Sequence, residues 1–161
     1  MKENPSTKEP AGVTDLVSAA CEDCKYQCLP QGLVEQLVSI YRTMFPHDAI
    51  LDEFYEHVVR KLDGQAAHDQ DLFELLFNGV EALNRQTGCA WAGLPEEARL
   101  QALQRVEQTP FFQRLRSDFV RYFYSNQAIW PLFGYEGPSN DKGSYLHRGF
   151  NDIDWIKKEE L

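Results

Sequence analysis

From Gln31 onward the apolar positions of this chain return every three or four residues. Leu33, Leu37, Ile40, Tyr41, Met44 and Phe45 share one face of a helix spanning about Gln31 to Met44. Pro46 stops it, because proline disfavours helical geometry in the residue before it. Leu51, Phe54, Tyr55, Val58, Val59 and Leu62 repeat the stripe and predict a second helix ending near Asp63-Gly64. A third, from about Asp69 to Gln86, carries Leu72, Phe73, Leu76, Phe77, Val80 and Leu83, with Gly88 where a left-handed cap is expected. Pro95, followed by Glu96 and Glu97, opens a fourth helix that runs to about Gln108, its acids at the positive end of the helix dipole. Thr109-Pro110 pairs a capping hydroxyl with a first-turn proline and opens a fifth, holding Phe111, Phe112, Leu115, Phe119, Tyr122 and Phe123. Nothing alternates like a half-buried strand. The pattern predicts a small all-α domain of about five helices.

At Asn126 the pattern changes. From there to Trp155 four glycines (Gly134, Gly137, Gly143, Gly149) and two prolines (Pro131, Pro138) punctuate a stretch with no helical period. Irregular segments of this length in a compact domain usually carry function. Linkers are poor in aromatic residues, whereas this ribbon holds Trp130, Phe133, Tyr135, Tyr145, Phe150 and Trp155. Such rings must bury against their own helices or against another protein, and tyrosine and tryptophan are favoured interface anchors. These six residues are the candidate partner-interface anchors, with Arg148 and Asp152 as charged hydrogen-bonding groups at the rim. The expected organisation is a flexible polar lead over 1–28 and one helical domain over 29–161.

Composition narrows the classes of function. A chain of 161 residues can bury roughly 70% of its unfolded surface around one core. With 43% hydrophobic and 25% charged residues it is not a mainly disordered chain. Sixteen basic residues against 25 acidic ones give a formal charge of −9, a field that repels phosphate backbones and anionic lipid. Nucleic-acid binding is therefore not expected, and no apolar run approaches the roughly 20 residues that would insert in a membrane. The lead, Met1 to Asp15, has no apolar stretch followed by a small-residue cleavage site and no twin-arginine pair. The reading is an absent export signal and a cytoplasmic location, with periplasmic delivery alongside a partner as the alternative.

Candidate chemistry is sparse. Cys21, Cys24 and Cys28 form a C-x2-C-x3-C cluster whose thiolates could converge on a metal or iron–sulfur cluster, the fourth ligand coming from Cys89, a histidine or a partner. Only one CxxC unit is present, and Glu22 and Asp23 between the thiols oppose a site of net negative charge, so the bland reading is a set of reduced thiols or a local disulfide. His47, His57, His68 and His147 are scattered. His47-Asp48 follows Pro46 between two helices and reads as structural, with the aspartate a helix cap. No dinucleotide, phosphate-loop, nucleophile-elbow or H-E-x-x-H motif occurs, so no catalytic and no cofactor-binding residue is assigned.

Two stretches carry a resemblance. The first is Tyr41-Arg42-Thr43-Met44-Phe45-Pro46-His47-Asp48, followed by Tyr55-x-x-Val58-Val59 and Leu62-Asp63. The second begins at Phe111-Phe112, passes Phe123-Tyr124-Ser125-Asn126, Trp130 and Phe133-Gly134-Tyr135-Glu136-Gly137-Pro138-Ser139, and closes with Lys142-Gly143-x-Tyr145-Leu146-x-Arg148-Gly149-Phe150-Asn151-Asp152-Ile153-Asp154-Trp155. Together, over about residues 31 to 156, they resemble the gluconate 2-dehydrogenase subunit 3 family, the small (gamma) subunits of flavin-dependent sugar and sugar-acid dehydrogenases. The resemblance implies a non-catalytic subunit that supports folding, maturation and stability of a large FAD-containing subunit of the glucose–methanol–choline oxidoreductase type. FAD would reside in that partner, and an electron-accepting cytochrome is a further partner. Two departures stand out: the missing twin-arginine signal, and the Cys21, Cys24, Cys28 cluster, which is not part of the family pattern. A stand-alone metal- or redox-responsive protein using that cluster is the alternative reading, and an enzyme with an unrecognised site is a third.

Overall fold

The computed structural model describes residues 25–138, and the chain divides into two compact units after Phe123. Among the described residues of the first unit five α-helices follow one another: α1 (Gln31–Met44), α2 (Asp52–Ala66), α3 (Gln70–Thr87), α4 (Glu96–Val106) and α5 (Pro110–Phe123). No strand occurs among the described residues. The protein is all-α, as the hydrophobic period predicts.

α3 and α5 open on capping side chains. At α3 the Asp69 carboxylate accepts from the Leu72 amide at 3.1 Å, and Gly88 closes the helix at φ 71°, the left-handed geometry expected of it. At α5 the Thr109 hydroxyl accepts from the Phe112 amide at 3.3 Å. Pro46 ends α1 as predicted, but α2 is not capped by Asp48. That residue is exposed in the intervening turn, and Leu51, with no capping side chain, stands at the N-cap position. The turn is held from the other side. Arg42 donates from Nε to Asp52 Oδ1 at 2.6 Å and from its two terminal nitrogens to the carbonyls of His47 (3.0 Å) and Ile50 (2.5 Å). Its guanidinium also lies 4.2 Å over the Tyr55 ring.

α2 packs most extensively on α5 and α1, placing its Tyr55, Val58, Val59 and Leu62 at the centre of the core with no exposed surface. α3 crosses α5 so closely that a Cβ on Gly79 would fall 2.1 Å from a ring carbon of Phe111. A short 3-10 turn, Trp91–Gly93, is absent from the sequence expectation. It drives the fully buried Trp91 between α1 and α3, where the indole N–H donates to Ser39 Oγ (3.1 Å) and the main-chain N–H to Asn84 Oδ1 (2.8 Å).

The last residues of the polar lead are ordered. Tyr26 and Leu29 are buried, and the amides of Gln27, Cys28 and Leu29 converge on the Asp63 carboxylate at 2.6, 2.9 and 2.8 Å. This anchorage also explains why α2 runs past the expected stop to Ala66: Asp63 is an interior helical residue whose side chain serves the lead.

In the second unit the described part of the ribbon is not irregular throughout. Gln127–Phe133 forms a 3-10 helix, capped by Asn126 Oδ1 accepting from the Ala128 amide at 3.1 Å and closed by Gly134 at φ 68°. Pro131 lies inside it. A helix that tight and that short shows no period of 3.6, so the hydrophobic pattern did not signal it.

Candidate partner interface

The residues of the first resembling stretch converge with α5 on one aromatic stack. Phe45 stacks on Phe119 at 4.1 Å, Phe119 on Phe123 at 4.3 Å, and the His47 ring on Phe123 at 5.6 Å. Tyr41 and Tyr55 lean on Phe119 at 5.1 and 5.5 Å, and the Tyr55 hydroxyl donates to the Phe45 carbonyl at 2.6 Å. His47 is partly buried, and burial together with the nearby Arg42 charge lowers its pKa. These contacts hold three helices together. The place of the His47 ring in the stack is in keeping with a structural reading of that residue.

The ribbon is different. Trp130 is half-buried and tied into its own segment: its indole N–H donates to the Tyr124 carbonyl at 2.8 Å, and its ring meets Tyr135 edge-on at 5.1 Å and 74°. The Tyr135 amide returns to the Trp130 carbonyl at 2.9 Å. Gly137, at φ 89°, passes so near the indole that a Cβ there would lie 3.2 Å from it. Phe133 packs against Tyr124 at 5.9 Å. Around this frame the outer surface is apolar: Leu132 is 56% exposed, Phe133 46% and Tyr135 45%.

Of the eight residues expected at the interface, three fall in the described part. Phe133 and Tyr135 present surface, while Trp130 acts mainly as the frame that holds them. Tyr145, Arg148, Phe150, Asp152 and Trp155 lie outside the described residues. Leu132 and Tyr124 extend the surface beyond the expected set. Tyr124 stood within the resembling stretch, whereas Leu132 had no signal, since one leucine between a proline and a phenylalanine shows no period. Several apolar side chains on a capped turn form the kind of surface that protein contacts bury.

Of the cysteine cluster, Cys21 and Cys24 lie outside the described residues. Cys28 and Cys89 are free thiols. Burial, the Asp63 charge and a hydrogen bond to Asp63 push the Cys28 thiol up to about 12, leaving it protonated and a weak nucleophile at neutral pH. No group of three or more possible metal ligands occurs among the described residues, nor is any described helix long and apolar enough to cross a membrane.

No protein family, curated protein or solved structure matches the chain.

Proposed function

We propose that the chain is the non-catalytic small (gamma) subunit of a flavin-dependent sugar or sugar-acid dehydrogenase. Its role is to dock on the large FAD-containing glucose–methanol–choline-type subunit and support that subunit's folding, maturation and stability. The observation that carries the reading is the exposed Leu132, Phe133 and Tyr135 surface, raised on a capped turn within the stretch that resembles that subunit family. The oxidation chemistry belongs to the FAD of the partner, and an electron-accepting cytochrome would take the electrons onward.

The test is co-expression with an FAD-containing subunit of the glucose–methanol–choline type, purification by a tag on this chain alone, and measurement of bound flavin and dye-linked sugar oxidation. Near-equal amounts of the two chains are expected. Replacing Leu132→Asp together with Phe133→Ala should lower capture roughly thirtyfold, since truncating a buried anchor commonly costs about 2 kcal/mol. Both side chains are exposed in the free chain, so its helicity and melting should change little. Stoichiometric flavin on the isolated chain, or a flavoprotein that never accompanies it, would overturn the proposal.

A further inference from the structure

Where the end of α1 meets α4 and α5, the first unit has a surface hollow of about 360 Å³. Its floor is apolar, from Met44, Phe45, Leu103 and Phe112, and its rim carries Glu107 and Arg116. Both charged residues are exposed, and neither has an ion-pair partner among the described residues. Leu100, 44% exposed, stands on the α4 edge of the same hollow.

We infer that this hollow is a homotypic contact, occupied by a second copy of the chain across a two-fold axis. In an isologous contact the same patch meets itself in reverse, so any residue i facing j is matched by j facing i. The patch carries both halves of such a pairing. It has an unpaired acid and an unpaired base, and an apolar side chain projecting beside an apolar recess. Leu100 of one copy enters the recess of the other, and Glu107 of each faces Arg116 of its mate. A partner surface of uniform charge would satisfy one rim residue and oppose the other. Stable interfaces bury about 800 Å² per partner, so a contact centred on one hollow gives a weak, concentration-dependent dimer. Each copy carries −9, and their mutual repulsion is muted at about 0.15 M salt, where the Debye length is about 8 Å.

Sedimentation of the full chain at that salt, from low micromolar to submillimolar concentration, tests this. The weight-average mass should climb from 18.6 kDa toward twice that value. Glu107→Arg alone and Arg116→Glu alone should each weaken association about tenfold, and both in one chain should restore it. Leu100→Glu should abolish it. All three positions are exposed, and circular dichroism of each variant checks that the fold is kept. A wild-type chain that stays monomeric throughout overturns the inference. So does a dimer indifferent to the charge exchange, or one lost with Leu132→Asp instead.

Discussion

Tyr41 carries a hydroxyl that is buried, with no hydrogen-bond partner among the described residues. Burial and the nearby Asp118 charge hold its pKa well above the ordinary phenol value, so it stays neutral. An unpaired buried hydroxyl gives up its bonds to water without replacement. Tyr41→Phe keeps the ring contact with Phe119 and removes that cost, so stability should rise by about 1 kcal/mol, roughly 2–4 °C in melting temperature. A fall of that size would show that a buried water serves the hydroxyl. Asp63 is the opposite case. Burial by itself would raise its pKa, but hydrogen bonds from Gln27, Cys28 and Leu29 outweigh it and bring the carboxyl below its ordinary value. A carboxylate whose folded pKa is lowered stabilises above the unfolded value, near 3.9, and that contribution drains away as pH falls through the folded value. Asp63→Asn should therefore cost about 2 kcal/mol at pH 7, and the difference from wild type should close below pH 4 in thermal melts. A pH-independent difference would mean that the charge is not what holds the lead.

Among the elements, the α3–α5 crossing is the most tightly constrained. Alanine normally gains about 1 kcal/mol over glycine inside a helix. At Gly79 the added methyl would collide with the buried Phe111 ring, and overpacking of this kind costs about 1–3 kcal/mol. Gly79→Ala should lower the melting temperature, and Phe111→Leu in the same chain should recover part of the loss. A rise in melting temperature would show that the ring moves aside freely. α1 and α2 depend on a side chain instead: Arg42 serves as the fastener of the turn that joins them, a position where the sequence reading placed a helix-capping Asp48.

For the molecule as a whole, legibility followed periodicity. Four of the five helices were readable because each buries a stripe repeating at 3.6 residues, and α1 matches its expected bounds, Gln31 to Met44. α4, which buries only Ala102 and Leu103, was marked instead by Pro95 and the acids that follow it. The shorter turns carried no such mark. The Trp91 turn has three residues, and the 3-10 helix at Gln127–Phe133 winds too tightly for the pattern. Asp63 is one aspartate on a helix whose partners lie 34 to 36 residues away, a distance that no local rule spans. In the candidate interface, Phe133 and Tyr135 were identified by residue type alone. Type could not reveal that the Trp130 indole N–H is bonded within its own segment.

The bonds to Asp63 have a further consequence, in the time domain. An amide held by a hydrogen bond trades its proton with solvent only when that bond opens. Gln27, Cys28 and Leu29 belong to no helix, yet all three amides end on one carboxylate carried by α2. In deuterated buffer they should exchange slowly and together, at a shared rate far below that of the exposed turn around Asp48. Three unrelated rates would mean that each bond opens alone. A single shared rate would time the release of the lead from α2.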